Sequence, residues 1–363
     1  MRLLSTSKVK IGQFVGRPIF SENGNLLLGK GVKLTKGLID KIFEHDIYFI
    51  YIDDEISKGI EINNVVDEEH MAKFVTSMKK VMDDAIFGDK NKNVSGFVPL
   101  ETFKIVQDLV KALIENIMSN KDVLYSVTEL MGTDMYTYKH SVNVAILSIL
   151  TSKSLKYNYK MIEQIAIGAL LHDIGKINVK NELINKKEPL TDDEFDEIKN
   201  HAKYGFEIVK KDVALSAYVK QIIIKHHEKL DGSGYPSGIE SKDIPEFVRI
   251  VTLCDIFDAI TNDRVYRKRI PMYKALEILM TDAVFKLDRN IYRHFVENIC
   301  IYPPGSGVKL SDNREAIVVK YRREYPSRPL VRIIDKDDLK KSYDLDLIDE
   351  RTIFVENVIE LDF

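Results

Sequence analysis

The spacing of apolar residues changes along the chain and first predicts a small mixed α/β unit, residues 1–63. Within it, Ile19 and Phe20 lead into a polar turn with Asn23-Gly24 at its centre, and the apolar residues 26–28 follow. This pattern predicts a β-hairpin. Apolar residues then recur at helical spacing, and the apolar run 47–52 predicts a buried strand. No polar cluster suggests chemistry here, so we interpret the unit as a packing or dimerisation module rather than a ligand sensor.

Residues 64–120 carry two apolar stripes at helical spacing, separated by the polar loop 88–93. The stripes are Met71, Phe74, Val75, Met78 and Met82, and then Phe103, Val106, Val110, Leu113 and Ile117. They predict two long amphipathic helices. Such helices form a connector or a dimer stalk in some proteins and ordinary core helices in others, and both interpretations stay open.

The rest of the chain divides into a helical part and a part rich in strands. Helical periodicity continues through residues 121–297. In residues 298–363, the apolar runs 316–319 and 330–334 are separated by polar turns and predict strands. We therefore expect a mainly α chain: an all-helical bundle, a small α/β N-terminal unit, a helical connector and a short β-rich C-terminal tail.

Composition excludes several classes of protein. Hydrophobic residues make up 45% and charged residues 30% of the 363 positions, and the net charge of −3 argues against a broad surface for a nucleic acid polymer. No run of about 18 apolar residues occurs, and the first residues lack a long apolar segment. The two cysteines cannot form a disulfide framework. We expect a cytoplasmic protein without a membrane partner.

Histidines and aspartates occupy positions where apolar core residues would be expected. The stripe of Val219, Ile222 and Ile223, for example, continues directly to His226 and His227. A polar group on a buried helical face is costly unless it is paired or bound to a metal ion. One such residue could be a satisfied core residue, but this set is too large for that explanation. Its members are His140, His172, Asp173, His201, His226, His227 and Asp255.

The residue types of this set favour a metal-dependent hydrolase. Imidazole and carboxylate ligands without a thiolate suit iron or manganese better than structural zinc. Asp173 adjoins His172, so its carboxylate can bridge two ions that activate a hydroxide against a phosphodiester. Cys254 lies beside Asp255 but points elsewhere on the helix, so we assign it to the core. The isolated histidines are treated as structural; they are His45, His70 and His294.

Four segments resemble the HD-GYP family of HD-domain metal-dependent phosphohydrolases. Residues 172–176 resemble the HD-x-GK signature, and residues 226–236 resemble the complete HHE…DG-x-GYP signature. Residues 136–141 resemble the segment that brings the first histidine, and residues 254–261 resemble the final acidic helix. The resemblance covers roughly residues 120–300, so we expect the catalytic domain at residues 121–297. The order of the segments makes the signal specific.

The resemblance implies hydrolysis of cyclic di-GMP to linear pGpG, GMP or both, at a site where the seven residues above are the metal ligands. Asp173 and Lys176 would be the catalytic residues, with Lys176 contacting the scissile phosphate. Further substrate-binding residues are then expected to be Tyr235, Asp258, Arg264 and Arg267, of which the two arginines would hold the second phosphate.

Two features leave alternatives open. Members of the family with three metal ions carry a carboxylate four residues before the first histidine, where this chain has Tyr136, so we expect two ions, with Asp134 not counted as a ligand. A catalytically slow cyclic di-GMP receptor that signals through the N-terminal unit is the alternative function. Hydrolysis of another nucleotide is disfavoured by the complete GYP signature. A homodimer through the N-terminal unit or the helical connector is a further expectation.

Overall fold

The computed structural model confirms a mainly α chain with strands at both ends. The residues that it describes are 1–21, 24–45, 47–87, 100–119, 124–126, 136–184, 186, 188–261 and 270–361.

The N-terminal unit is a small sheet with one helix. Strand β5 lies between β1 and β2 in an antiparallel sheet, while β3 and β4 form the predicted hairpin. Thr35 caps the helix by accepting a hydrogen bond from the Leu38 amide, and the helix packs Ile42 into the apolar core of the unit. The elements are β1 (Arg2–Ser5), β2 (Phe14–Val15), β3 (Ile19–Phe20), β4 (Leu26–Leu28), α1 (Lys36–Glu44) and β5 (Phe49–Asp53).

Two long helices follow, α2 (Glu68–Phe87) and α3 (Leu100–Ser119). Their apolar stripes are buried, with Met78 and Val110 fully inaccessible, and they belong to the same hydrophobic core as Ile165 of the bundle helices. The packing therefore favours the interpretation of α2 and α3 as core helices over that of a separate stalk. The boundaries at residues 64 and 120 stay a prediction.

The helical bundle contains α4 to α12 and a 3₁₀ turn at Ile174–Asn178. Gly175 in this turn lies so close to α8 that a Cβ atom would stand 1.9 Å from the His201 carbonyl oxygen. Only glycine permits this approach, which brings the turn and α8 together. The helices are α4 (Tyr136–Ser154), α5 (Tyr159–Leu171), α6 (Asn181–Ile184), α7 (Asp192–Lys199), α8 (His201–Val209), α9 (Ala217–Lys225), α10 (Glu246–Thr261), α11 (Met272–Asp282) and α12 (Arg289–Val296).

The C-terminal strands form one antiparallel sheet in the order β10-β6-β7-β8-β9. This sheet contacts the N-terminal unit: the Ser5 amide donates to the Glu360 carboxylate at 2.7 Å, and Arg332 donates to the Ile56 carbonyl at 2.8 Å. The strands are β6 (Gly307–Leu310), β7 (Glu315–Lys320), β8 (Leu330–Ile333), β9 (Tyr343–Asp346) and β10 (Val355–Ile359). None of the helices in the described ranges combines the length and apolar character needed to cross a membrane.

Candidate metal centre

The structure brings together all seven side chains that the sequence singled out. They come from α4, the end of α5, the start of α8, the end of α9 and the middle of α10. Potential ligand atoms lie within 4.8 Å of one another in each of two groups. The first group is Asp173, His201, His226 and His227, and the second is His140, His172 and Asp255. Their role as metal ligands stays a prediction, but their convergence is a property of the fold.

Three of the histidines are oriented by hydrogen bonds within their own helical turns. In each, Nδ1 lies within hydrogen-bonding distance of a backbone carbonyl oxygen three residues earlier. A carbonyl can only accept, so Nδ1 carries the proton and Nε2 presents its lone pair. The pairs are His172 with Ala169 at 2.7 Å, His201 with Ile198 at 2.7 Å, and His226 with Ile223 at 2.9 Å.

The free lone pairs fit a bound cation. Nε2 of His201 lies 3.2 Å from Nε2 of His226, so two unprotonated nitrogens face one another, and Nε2 of His227 lies 3.1 Å from Nε2 of His201. Among the described residues, nothing offers a hydrogen bond to the buried Nε2 of His172 or to the buried Oδ1 of Asp173. Buried polar atoms without partners are costly, and a divalent metal ion would satisfy both. The nitrogen and oxygen donors therefore fit divalent metal ions.

Burial and neighbouring charges set the protonation of these groups. Burial lowers the pKa of His201 and His226, and it lowers the pKa of His227 to about 3, so these imidazoles are neutral as metal binding requires. His140 differs: burial acts to lower its pKa, but hydrogen bonds to Asp255 and Asp258 outweigh burial and raise it to about 9.

The two carboxylates of the groups stay ionised. Burial would raise the pKa of Asp173, but its electrostatic interactions with His172 and with the Lys176 ammonium outweigh burial and hold that pKa well below its usual value. Burial opposes ionisation of Asp255 in the same way, and its hydrogen bond with His140 is the main opposing contribution that holds its pKa well below the usual value. Two buried anions are thus available to balance the charge of metal ions.

Asp258 lies beside the second group, and its predicted contact with substrate stays a prediction. It is buried on α10, where Oδ2 accepts a hydrogen bond from Nδ1 of His140 at 2.7 Å and Oδ1 accepts one from Nδ2 of Asn143 at 2.9 Å. Its carboxylate therefore orients His140. A signal for this was present in the sequence, because Asp258 lies three residues after Asp255 and hence on the same face of a helix.

The expected residues Lys176 and Tyr235 lie at the groups. Nζ of Lys176 contacts Oδ2 of Asp173 at 2.5 Å, and its side chain is partly exposed. The ring of Tyr235 packs against the ring of His227 with centroids 4.5 Å apart and meets the edge of the His201 ring at 6.3 Å. Both side chains are therefore placed where a ligand of the metal centre could contact them.

Glu228, which sequence reasoning missed, holds the loop that carries Tyr235. Its buried carboxylate accepts hydrogen bonds from the backbone amides of Ser237 at 2.8 Å and Ile239 at 3.2 Å. Gly234 in the same loop lies so close to the preceding chain that a Cβ atom would stand 2.4 Å from the Lys229 nitrogen. The signal available was the position of Glu228, directly after the two histidines and before the loop.

Four of the predicted or discussed residues cannot be placed. Arg264, Arg267 and Asp134 lie outside the described residues, and so does the side chain of Tyr136, whose backbone begins α4. The arginine clamp and the number of ions therefore stay predictions.

Comparison with known proteins agrees with this geometry. Residues 114–291 match the family model described as HD domain, and residues 307–362 match the one described as KOW domain associated with HD domain. The first match spans the seven clustered side chains, and the second spans the C-terminal sheet.

Curated relatives share the helical part of the chain. A cyclic di-GMP phosphodiesterase of Pseudomonas aeruginosa is 33% identical over 228 residues, covering 62% of this chain and 54% of the relative. The cyclic di-GMP phosphodiesterase PdeB of Borreliella burgdorferi is 32% identical over 203 residues, covering 56% and 53%. A 3'3'-cGAMP-specific phosphodiesterase of Vibrio cholerae is 38% identical over 170 residues, covering 46% and 36%. The chain spans about half the length of the first two.

The HD-domain match contains every member of the His/Asp cluster, and the HHE-to-GYP sequence of residues 226–236 forms the loop beside it. Residues 114–291 therefore form a domain of the HD-domain family, whose HD-GYP branch the sequence of residues 226–236 resembles.

Proposed function

We propose that this protein is a metal-dependent phosphodiesterase that hydrolyses cyclic di-GMP to linear pGpG, GMP or both. The observation that carries the proposal is the pair of adjacent His/Asp groups with Lys176 beside them. The names of the Pseudomonas and Borreliella relatives support the substrate. A slow receptor would be expected to lack one of the seven clustered side chains, and all seven are present and lie together. No feature of the described residues therefore favours the receptor.

Asp173 would be the residue shared by two ions if each group held one. Its Oδ1 lies 3.3 Å from Nε2 of His201 in the first group, and its Oδ2 lies 3.2 Å from Nε2 of His172 in the second. One carboxylate oxygen thus faces each group. Two divalent ions held there would supply a Lewis acid for the phosphate and an activated water. We propose iron or manganese, since the neighbouring Cys254 is buried and burial raises the pKa of its thiol to about 12.

The protein groups around the cluster then bind and orient the substrate. The ammonium of Lys176 would bind a non-bridging oxygen of the scissile phosphate, leaving Asp173 to the metal ions. Tyr235 would border the bound nucleotide, and Arg264 with Arg267 would hold the second phosphate. Asp258 keeps the His140 ring in place through Nδ1. Each of these roles depends on charge or hydrogen bonding at a stated group.

Metal analysis combined with turnover tests the proposal. Anaerobically purified protein should hold two ions of iron or manganese and should cleave cyclic di-GMP faster than 3'3'-cGAMP, GTP or bis(p-nitrophenyl) phosphate. Replacing both Arg264 and Arg267 by alanine should erase the preference over the simple diester. Metal-loaded protein that leaves cyclic di-GMP intact would refute the function, and three fully occupied sites would refute the two-ion centre.

The expected homodimer and cytoplasmic location also stay proposals. The apolar stripes of α2 and α3 are buried in the bundle core, which leaves the N-terminal unit as the dimer surface that we favour, with Ile11 and Leu26 exposed on it. Light scattering after size exclusion should give twice the mass of one chain. Leu26→Lys should lower the measured mass toward that of a single chain. A monomer at micromolar concentration would exclude this dimer.

A further inference from the structure

A row of side chains leads from the His/Asp cluster toward the protein surface. Tyr235 packs on His227, and the ammonium of Lys199 lies 6.0 Å from the centroid of the Tyr235 ring. The same ammonium lies 4.5 Å from the centroid of the Phe195 ring, and Phe195 is 47% exposed. The row therefore runs from His227 through Tyr235 and Lys199 to Phe195, alternating aromatic and cationic groups at its outer end.

The helix that carries the outer end of the row is firmly anchored. Thr191 and Glu194 form a reciprocal capping box at the start of α7, and Lys186 contacts the Glu194 carboxylate at 2.6 Å. Helix α7 ends at Lys199, and α8 begins at His201 with only one residue between them. Phe195 and Lys199 are thus held at a fixed position relative to a member of the His/Asp cluster, as a preorganised binding site requires.

The chemistry of this outer end suits a nucleotide. An exposed aromatic ring offers a face for stacking a base, and an ammonium beside it offers a partner for phosphate. Lys199 contacts Oδ1 of Asp196 at 2.7 Å, but the Asp196 side chain is 70% exposed. Ion pairs exposed to this degree are weak, so a phosphate can replace Asp196 at little cost.

We propose that Phe195 and Lys199 form an outer subsite for the half of a cyclic dinucleotide that is not cleaved. The Phe195 ring stacks on the base of that half, and the Lys199 ammonium adds a further cationic contact to the phosphate that Arg264 and Arg267 are proposed to hold. Tyr235 lies between this subsite and the His/Asp cluster. The inference rests on the proposed phosphodiesterase function and adds two residues that select the substrate.

Two variants and two matched controls test the subsite in the full-length, metal-loaded protein. Phe195→Ala removes the ring, and Lys199→Met removes the charge while keeping the alkyl stem. Phe195→Ala should raise KM for cyclic di-GMP about tenfold or more, the effect typical of a lost base–aromatic contact. Lys199→Met should raise it about tenfold, the effect typical of a lost hydrogen bond to a charged group. Each should lower by the same factor the ratio of kcat/KM for cyclic di-GMP to that for bis(p-nitrophenyl) phosphate. Phe354→Ala, with a similarly exposed ring, and Lys203→Met, exposed on α8, should keep the wild-type ratio.

The possible outcomes separate the two proposals. Wild-type protein without cyclic di-GMP turnover would refute the proposed function. Wild-type turnover with an unchanged substrate ratio in Phe195→Ala and Lys199→Met would overturn the subsite alone. Equal losses on both substrates, accompanied by reduced metal content, would show that the two residues act structurally, which also overturns it.

Discussion

Replacement of Asp258 tests whether this residue orients a ligand or contacts substrate. Its carboxylate accepts from Nδ1 of His140 at 2.7 Å and from Asn143 at 2.9 Å. Removing a partner that orients a metal ligand typically costs 10- to 100-fold in metal affinity, or about 1.4–2.7 kcal/mol. The general value for a hydrogen bond to a charged group, about 1.5–3 kcal/mol, agrees with this range.

The two substitutions should differ in size. In Asp258→Asn the amide oxygen can still accept from His140, so the ring keeps its orientation and affinity falls about tenfold. In Asp258→Ala, Nδ1 of His140 and the Asn143 amide both lose the Asp258 carboxylate, so the loss should approach 100-fold. The group of His140, His172 and Asp255 should weaken, because it is the group that contains His140.

Manganese titration of the metal-free protein against a competing chelator measures both sites separately. We expect one weakened site and one unchanged site, with turnover restored by excess metal and KM for cyclic di-GMP unaltered. Asp212→Asn is the control, because Asp212 is also buried but accepts its hydrogen bond from the Ala214 amide in another loop. Two tight sites together with a raised KM would refute the orienting role and restore the predicted substrate contact.

Three further predictions follow from the same geometry. Asp173→Ala should abolish turnover and reduce metal content at both groups, and near-normal turnover would exclude the bridge. Glu228→Ala should raise KM for cyclic di-GMP and leave metal content nearly unchanged, because the Ser237 amide loses its acceptor and the loop with Tyr235 becomes less ordered. An unchanged KM would contradict this. Metal-free protein should be most stable near pH 6.5. Below pH 6.5 the unfolded state takes up a proton that buried His227 does not, so the free energy of unfolding falls by about 1.4 kcal/mol per pH unit. Above pH 6.5 the stability that protonated His140 contributes is lost progressively toward pH 9, because folding raises the pKa of His140. Urea unfolding from pH 5 to 9 measures this, and a monotonic rise in stability with pH would contradict it.

Local patterns predicted most of the secondary structure. The β3–β4 hairpin follows from its turn residues, and the C-terminal strands follow from short apolar runs between polar turns. The placement of α2 and α3 did not follow, because an amphipathic stripe shows that a face is buried and not what buries it. An apolar residue such as Val110 is expected both in a dimer stalk and in a shared core. Only its packing with the bundle helices distinguishes the two.

In the candidate site, too, local patterns identified some residues and missed the roles of others. Polar residues on apolar helix faces marked the seven side chains, and the structure brings them into two groups. Asp258 and Glu228 were not distinguished in this way, because each acts through a partner that periodicity does not reveal. His140 and Asp258 lie 118 positions apart in the chain, and the acceptor role of Glu228 appears only once the loop folds back on it.

The division has a physical reason that extends to the whole cluster. His172, His201 and His226 each donate Nδ1–H to a carbonyl of their own helical turn, so the direction of each lone pair is set by local backbone geometry. Their convergence depends instead on close helix contacts, such as that of Gly175 with His201. A sequence can therefore state which side chains will present donors, since the helix dictates this. Packing between distant segments sets how close the donors come to one another. These distances determine whether the cluster can hold one ion or two.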